Sequence, residues 1–540
     1  MARANILHKI RRTLRNRDSS FHPQHPKYPW FVLANIMVGT FMAVLDATIV
    51  NVGLPKIMAS FGVGIDKIEW VITGYMLAMA LSLPTSSWLA DRFGYKKIYS
   101  LGLLLFTFGS FLCGLANDEN FLIAARIIQG LGGGCVMPIG MAIVTREFPV
   151  ERRGIALGFW AVASAASVSF GPLIGGYLVD NFSWQLIFDV NIPVGIIGII
   201  VTIIIQREYI NKNIRKFDIV GFITASIFLP LTLYALSEST AASNSEGWGA
   251  PYILICFGIA TISLAIFITN ELIVKDPLID LRLFANHNYA MSNITLFIFG
   301  MGMFGSTFLL PLYLQNSLGY TALQSGSVFL PIGFIQGAIS PVVGAISDKT
   351  SHKIPILLGI LLLAVSFFIN GFLSFLTEQS YIMTSLYIRG VGLGLIFTPL
   401  STISLLEVPH SKMGQASGLF NIVRQLGGSF GVALLATILS TRVTYHSQVY
   451  AESIEMNSQV LKNVTTNLNY YIEKKAGSPL IKAQSQSRAL ILMDLSKQAF
   501  IQGVDDDFLI AGMITLAGGI PILFLHSKKK RNSLKTKDND

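Results

Sequence analysis

The chain contains 540 residues, of which 52% are hydrophobic and only 13% are charged. Soluble domains carry about twice that charged fraction, so the composition excludes an ordinary soluble protein and indicates one that lies within a membrane. The formal net charge of +10 is explained by the membrane topology described below, and it does not predict nucleic-acid binding.

Fourteen apolar stretches follow one another along the chain, each of roughly 18–25 residues, the length that an α-helix needs to cross a bilayer. Backbone polar groups must be hydrogen-bonded within the hydrocarbon, and such stretches therefore predict helices. The sequence predicts an all-α polytopic membrane protein with 14 transmembrane helices. The stretches begin near Trp30, Ile68, Ile98, Phe121, Ile155, Trp184, Phe217, Pro251, Tyr289, Leu323, Ile354, Tyr381, Gln415 and Phe508.

Basic residues lie mostly on one side of the predicted helices. If the N-terminus is cytoplasmic, 28 of the 40 lysines and arginines fall in inner loops and tails, whereas the short outer loops hold only Lys56 and Lys67. This positive-inside bias predicts a multi-pass protein of the bacterial inner membrane with both termini in the cytoplasm. Residues 1–29 and 527–540 are then basic cytoplasmic segments, the first of them attracted to anionic lipid.

Two parts of the sequence repeat each other. Residues 87–96 align with 344–353, and residues 154–171 align with 414–431 at nearly the same separation. The repeats predict two six-helix bundles with a substrate cavity between them near the bilayer midplane, opened to each side in turn by rocking. The predicted domains are the first bundle at 30–206, two inserted helices at 217–272 and the second bundle at 289–526.

Four motifs lie in or beside the first five spans: LDATIVNVGLP at 45–55, LADRFGYKK at 89–97, RIIQG at 126–130 and GPLIGG at 171–176. They resemble signatures of the major facilitator superfamily, and more narrowly of its fourteen-helix drug/proton antiporter branch, the EmrB/QacA kind, along almost the whole chain. The resemblance implies the fold of that superfamily and proton-driven drug export. The chain departs from the family pattern at Ser87, Tyr95 and Ser167.

Asp46 is the acid best placed for proton coupling. It lies about 13 Å from the outer end of the first span, and Arg126 lies at a similar depth in the fourth. An ionisable side chain within a span is costly unless it is paired or faces water, and it usually marks an ion or substrate path. The resemblance implies that both residues couple transport to protons, and Asp189 is a second candidate. The alternatives are that Asp46 only hydrogen-bonds neighbouring helices and that Asp189 is a solvated interfacial acid.

The loop between the second and third spans carries Asp91, Arg92, Gly94 and Lys96, and its degenerate copy carries Asp348. In the resembled family this loop forms charge pairs and helix-end contacts that hold one conformation and break when the inner gate opens. Such contacts are weak enough to bias a two-state transporter without locking it. The alternative is a solvated loop that only sets the topology.

Gly171, Pro172, Gly175 and Gly176 lie in the fifth span. Small residues four apart let helices approach closely, and proline kinks a span. In the resembled family this motif accompanies exporters, and it therefore favours export over uptake. The alternative is the ordinary use of glycine and proline in membrane helices.

The predicted cavity lining consists of Gln129, Trp160, Arg389, Asn421 and Arg424, of which Arg389 corresponds to Arg126 in the repeat. An interior with three arginines and two acids favours neutral or weakly acidic lipophilic substrates over dications, because a dication would meet repulsion without a compensating carboxylate. The alternative is that Arg389 and Arg424 are tied to backbone carbonyls and never touch cargo.

Residues 441–505 form one long hydrophilic segment on the predicted outer side, with helical composition and a break at 477–479. The predicted helical hairpin resembles the corresponding segment of pumps that work with a periplasmic membrane-fusion adaptor and an outer-membrane channel. Capping of the outer vestibule is the alternative, since long ordered loops are often functional.

The predicted function is proton-coupled export of lipophilic or amphipathic drugs by alternating access, with small substrates, protons and membrane lipid as partners. No cofactor or metal is predicted, because the histidines and cysteines lack ligand spacing. An enzyme is not predicted either, because no nucleophile, base or metal set converges. Translocation of lipids or other amphiphiles is the alternative, followed by proton-linked nutrient uptake, against which the glycine-proline motif argues.

Overall fold

A computed structural model describes residues 25–63, 65–210, 216–239, 244, 246–409, 412–453, 459–476 and 479–525. Within these ranges the regular secondary structure is entirely helical, as predicted. The predicted basic tail at 527–540 lies outside the described residues, and so do residues 1–24 of the predicted basic segment at the N-terminus.

The first bundle contains six helices whose lengths follow from the apolar stretches. Its sixth helix is interrupted at Val190, between Leu186–Asp189 and Asn191–Ile205. The six helices are α1 (Tyr28–Phe61), α2 (Ile65–Phe93), α3 (Tyr95–Gly114), α4 (Glu119–Glu147), α5 (Arg153–Asn181) and α6 (Leu186–Ile205).

Two inserted helices, α7 (Ile219–Glu238) and α8 (Pro251–Ile273), pack against each other, and α7 packs against α2. The second bundle begins with α9, and its helix α10 consists of the two pieces Ala322–Ser327 and Leu330–Ser347. The remaining helices are α9 (His287–Asn316), α10 (Leu323–Ser347), α11 (Lys353–Ile369), α12 (Gln379–Leu406), α13 (Met413–Ser453), α14 (Gln459–Ala476) and α15 (Leu480–Ala517).

Eleven helices of the described part of the chain are long and apolar enough to cross a membrane. The other predicted spans correspond to α2 and α5, of 29 residues each, and to the shorter α11, of 17 residues. Large apolar side chains such as Ile197, Ile255 and Ile262 are more than half exposed on the outside. Such a surface is unfavourable in water and fits a lipid environment. The exact count of fourteen spans stays a prediction.

Helices α13 and α15 are 41 and 38 residues long. At the rise of an α-helix each measures about 60 Å, which is about twice the thickness of the hydrocarbon core. Both helices therefore project beyond the bundle, and α14 packs against the projecting part of α15. The long hydrophilic segment predicted at 441–505 is helical in its described residues.

The loops that follow α2, α4, α6, α8, α10 and α12 lie at one end of the bundle, and they are the loops that carry the excess of Lys and Arg. We call this end the basic face; it is the face predicted to be cytoplasmic. The two bundles contact each other through α5 with α10 and through α2 with α13. These two contacts position the charged groups described next.

Candidate functional site

A buried ion pair connects α1 and α4 in the first bundle. The Nη1 atom of Arg126 lies 2.5 Å from Oδ2 of Asp46. Oδ1 of Asp46 accepts hydrogen bonds from Nε2 of Gln129 at 2.8 Å and from Nδ2 of Asn191 on α6 at 3.0 Å. Gln129 also donates to the hydroxyl of Ser110 at 2.7 Å. No side chain among Asp46, Arg126, Gln129 and Asn191 is more than 1% exposed.

The groups around Asp46 stabilise its carboxylate. Arg126, Gln129 and Asn191 each donate a hydrogen bond to it, and Arg126 also supplies the opposite charge. Arg126 is held in turn by the backbone oxygen of Val71, 3.1 Å from its Nε, and its guanidinium lies 4.1 Å from the ring centre of Tyr75. A buried pair of this kind is stable only with such additional partners. Asp46 is therefore ion-paired and shielded from water in this conformation.

The third residue predicted for proton coupling, Asp189, lies apart from the pair of Asp46 and Arg126. Asp189 is partly exposed beside Gly114 of α3, and within the described residues it makes no hydrogen bond to the Asp46 network. Gln129, predicted to line the cavity, belongs to the network instead. Asn191 was missed by the sequence reasoning, although a lone amide at the start of a strongly apolar helix is a signal that could have found it.

The residues of the Asp91 loop mostly make contacts inside the first bundle. Asp91 accepts from the hydroxyl of Tyr95 at 2.9 Å and lies 3.5 Å from Nη2 of Arg146. Arg92 stacks over Trp88. Gly94 has φ of +109°, a conformation that favours glycine, and this turns the chain from α2 into α3. Lys96 donates from Nζ to the backbone oxygen of Ile203 at 2.6 Å.

Two contacts between the bundles close the basic face, and the helix pairs that make them correspond to each other in the internal repeat. The hydroxyl of Ser87 donates to the backbone oxygen of Gly414 at 2.7 Å, where α2 meets α13. At the equivalent place α10 meets α5, and there Asp348 accepts from the backbone N–H of Gly154 at 3.0 Å and of Ile155 at 3.3 Å. Asp348 thus caps the first turn of α5 across the interface between the bundles.

Burial confirms that the basic face is closed. Every residue from 132 to 145 of α4 and from 396 to 405 of α12 is buried. A helix that faced an aqueous cavity would leave one side exposed. The halves of α4 and α12 nearest the basic face therefore pack on all sides, and the part of the chain that the structure describes leaves no open path between the bundles there.

Asp348 makes this closure sensitive to pH. Burial raises the pKa of its carboxyl from 3.8 to about 6, and the N–H groups of Ile155 and Gly154 oppose this while Glu151 adds to it. A raised pKa means that closure takes up a proton. We expect the closed population to fall as the pH rises from about 4 to about 6.

The measurement for that expectation is the pH dependence of the distance between spin labels on the basic-face ends of α5 and α10. Asp348→Asn should remove the dependence on pH, because asparagine does not titrate. An unchanged pH profile in that variant would show that other groups control the closure.

The glycine motif of α5 permits two close contacts. A Cβ atom on Gly171 would lie 2.0 Å from the hydroxyl of Thr48 on α1, and one on Gly176 would lie 3.0 Å from Leu323 on α10. Pro172 and Gly175 lie between them in the same helix. The motif therefore sets how closely α5 can approach both α1 in its own bundle and α10 in the other one.

An aromatic and cationic cluster lies between the bundles. Trp160 of α5 donates from Nε1 to the hydroxyl of Thr40 at 2.9 Å and stacks on Phe397 of α12, with ring centres 6.1 Å apart. The guanidinium of Arg424 lies 5.8 Å from the same Phe397 ring and donates to Asn421 at 3.2 Å. Within the described residues Arg424 has no carboxylate partner, and its side chain is partly exposed.

Arg389 is buried deeper in the second bundle. Its Nε donates to the hydroxyl of Ser366 at 3.3 Å and its guanidinium lies 4.7 Å from the ring centre of Phe367. Its two terminal nitrogens have no hydrogen-bond partner in the described part of the chain. Of the predicted cavity residues, the structure therefore brings Trp160, Asn421 and Arg424 together and places Gln129 and Arg389 elsewhere.

Comparison with known proteins gives consistent matches. The family model described as the Major Facilitator Superfamily matches residues 36–432. The chain is 29% identical to "Multidrug export protein EmrB" of Haemophilus influenzae over 484 residues, which cover 88% of this chain and 92% of the relative. It is 30% identical to "Fatty acid resistance protein FarB" of Neisseria gonorrhoeae over 501 residues, which cover 92% and 95% of the two chains.

Among solved structures, the fold resembles that of the human organic anion transporter MFSD10 (TETRAN). The TM-score is 0.55 at 13% identity, and the match covers 91% of this chain and all of the other. At that identity the likeness concerns the fold alone.

Proposed function

Since the chain belongs to the major facilitator superfamily, as its motifs predicted, we propose that it is a proton-coupled antiporter that exports lipophilic and amphipathic drugs. One observation carries the proposal: a fully buried aspartate is ion-paired to a fully buried arginine within helices that have the length and composition of membrane spans. Such groups are costly to bury within a span, and they usually mark an ion or substrate path. Relatives named for multidrug export and fatty acid resistance support the assignment.

The coupling follows from the conformation. With the basic face closed, Asp46 is ionised and held by Arg126, Gln129 and Asn191. A rearrangement that opens this network to the outer side lets Asp46 take up a proton, which weakens its attraction to Arg126. Release of that proton to the cytoplasm restores the pair. Cargo and proton must compete for the same cavity for the two flows to be coupled.

The cargo site is the cluster of Trp160, Phe397 and Arg424. The two aromatic rings are apolar and are buried against each other in this conformation, and Arg424 supplies a cation without a carboxylate partner in the described residues. An apolar body that carries a carboxyl or another weakly acidic group fits both features. We therefore propose neutral and weakly acidic lipophilic compounds as the preferred substrates, in keeping with the excess of arginines in the interior.

The test is transport into everted membrane vesicles driven by a pH gradient, with a panel of neutral lipophiles, lipophilic weak acids and bis-cations. We expect the first two classes to be transported in preference to bis-cations. Arg424→Gln should reduce transport of the weak acids by about tenfold, the value of one charged hydrogen bond, and leave neutral compounds nearly unchanged.

Arg488→Gln is the matched control, because Arg488 is an exposed arginine on the projecting part of α15. Faster transport of bis-cations than of the other two classes would refute the proposed cargo preference, but it would not contradict proton coupling. If the transport rate of every compound were independent of the pH gradient, the proposal of proton-coupled antiport would be refuted.

A partner for the projecting helices is part of the proposal. The outer ends of α13 and α15, together with α14, extend beyond the bundle, and Tyr470 and Tyr471 of α14 are each more than half exposed. We propose that this hairpin contacts a periplasmic adaptor of a tripartite pump in the bacterial inner membrane, with both termini of the chain in the cytoplasm.

Translocation of lipids is the second candidate function, and one feature favours it. A cleft of about 310 Å³ opens sideways between α2, α4 and α7, lined by Leu81, Thr85, Trp88, Leu131 and Phe222 among others. A lateral opening of this kind admits amphiphiles from the bilayer. Transport of a fluorescent phospholipid by vesicles that fail to move the drug panel would favour this alternative.

A further inference from the structure

Three consecutive aspartates near the outer part of α15 have different surroundings. Asp505 accepts from the backbone N–H of Leu373 at 2.9 Å. Asp506 lies 2.6 Å from Nε of Arg442 and 2.8 Å from Nε2 of His446. Asp507 is 0% exposed, and neither of its carboxylate oxygens has a hydrogen-bond partner in the described residues.

The residues one turn before and after Asp507 pack in apolar surroundings. One turn before it, Gly503 packs against Val443 of α13, and one turn after it, Ala511 packs against Gly302 of α9. Residues four apart share a helix face, which places Asp507 on the side of α15 that meets α9 and α13. The adjacent Val504 and Phe508 are fully buried.

The charged and titratable groups on the neighbouring helices are engaged elsewhere. On α13, Arg442 and His446 contact Asp506. On α9, the hydroxyl of Tyr313 donates to the backbone oxygen of Ser374 at 2.6 Å. On α11, Lys353 contacts the oxygen of Leu523 at the opposite end of the bundle. Arg389 of α12 lies beyond Phe508, with 6.0 Å between its guanidinium and the ring centre.

An ionised carboxylate in such surroundings costs several kcal/mol, because it has lost its hydration and gained no donor. The protonated carboxyl avoids most of that cost. Asp507 is therefore neutral in the conformation that is closed at the basic face, whereas Asp46 is ion-paired to Arg126. Asp46 in the first bundle and Asp507 in the second thus differ in charge in that conformation.

We propose that Asp507 is a second proton-carrying residue, which holds a proton while the basic face is closed and gives it up when the bundles rock. The inference rests on the proposed antiport and extends it from one proton site to one in each bundle. The internal repeat supports it: Arg126 lies over Phe188 at 5.6 Å, and Arg389 lies over Phe508 at 6.0 Å. The second bundle thus has an arginine and a phenylalanine in a similar arrangement, and its acid is Asp507, the residue directly before Phe508.

The experiment uses infrared difference spectroscopy on the purified full-length protein at pH 7, without any cargo. A protonated carboxyl has a carbonyl stretching band that a carboxylate lacks and that shifts on transfer to heavy water. We expect this band to be weaker in Asp507→Asn than in the unmodified protein. Asp506→Asn is the matched control and should keep the full band, because Asp506 is ion-paired. Asp507→Glu, which keeps the carboxyl, should move the band rather than remove it.

A second measurement links the site to transport. Proton release on binding of Nile red, a neutral lipophilic dye that brings no proton of its own, is counted with a pH indicator. Asp507→Asn should lower the number of protons released per dye molecule, whereas Asp506→Asn should leave this number unchanged.

Asp507→Asn with an intact carboxyl band, or with an unchanged proton count, would overturn the inference. Failure of the antiport proposal would give a different result. The unmodified protein would then release no protons when the dye binds, and the infrared band would still report the protonation state of Asp507.

Discussion

Replacing Asp46 with asparagine is expected to abolish drug efflux driven by a proton gradient while the protein is still made and inserted. Asparagine keeps the shape of the side chain and can accept from Gln129 and Asn191, but it cannot carry or release a proton. It also leaves Arg126 buried without a counter-charge, which costs about 3–5 kcal/mol. The measurement is drug transport in everted vesicles before and after a pH gradient is imposed, normalised to the amount of protein in the membrane.

The stability cost makes a second variant necessary. The double variant Asp46→Asn with Arg126→Gln removes both charges, and we expect it to regain thermal stability without regaining efflux. If Asp46 were only a structural hydrogen-bonding group, relief of the buried charge would restore transport as well. Recovery of efflux in the double variant would therefore refute proton coupling through Asp46.

Asp189→Asn is the matched control for the choice of acid. Asp189 is partly exposed beside Gly114 and makes no hydrogen bond to the Asp46 network within the described residues. We expect this variant to keep most of its efflux. Equal losses of efflux in Asp46→Asn and Asp189→Asn would indicate that Asp189 also takes part in proton coupling.

The depth of the charged residues could be predicted from the sequence, because the rise of a helix is fixed. Counting residues from the ends of the spans placed Asp46 and Arg126 at the same level, and the structure pairs them. The repeat likewise indicated which helices correspond. The contacts of Ser87 with Gly414 and of Asp348 with Gly154 join corresponding pairs of helices.

The direction of each side chain around its helix could not be predicted. Asp189 and Asn191 are two residues apart, and this rotates their side chains by about 200° relative to each other. The acid was chosen for its charge, but the amide faces Asp46. The packing of α6 against α1 and α3 determines which of the two side chains points into the bundle. The sequence around the two residues does not show how these helices pack.

Aligned residues also acquired different partners. Asp91 and Asp348 occupy the same position of the repeat, yet Asp91 accepts from Tyr95 whereas Asp348 caps α5. The difference arises from the residue four positions later, which is Tyr95 in the first copy and His352 in the second. The hydroxyl of Tyr95 reaches back to the acid. The departure from the family pattern at Tyr95 therefore has a physical consequence that the motif alone did not show.

Enlarging Gly344 to valine is expected to prevent closure of the basic face and to stop transport. A Cβ atom at Gly344 would lie 2.3 Å from the backbone oxygen of Gly154 and 2.5 Å from its carbonyl carbon. Both atoms belong to the backbone of α5, and no rotation of a side chain relieves the clash. A shift of the helices typically costs about 1–3 kcal/mol, and each 1.4 kcal/mol changes the closed population about tenfold.

The measurement is the distance between spin labels introduced at Glu151 and Lys349, exposed positions near the basic-face ends of α5 and α10, in a variant without the three native cysteines. The distribution should move to longer distances in Gly344→Val. Gly258→Val is the matched control, because nothing lies within 4 Å of a Cβ atom on that glycine of α8.

Transport and closure must fail together for this contact to act as a gate. An antiporter that cannot close one face becomes unable to expose its acid to the other side, and cargo release then stops even though Asp46 and Arg126 are intact. Loss of transport with an unchanged distance distribution would mean that Gly344 matters for packing within its own bundle. Normal transport with a persistently open basic face would mean that alternating access does not require the contact between α5 and α10.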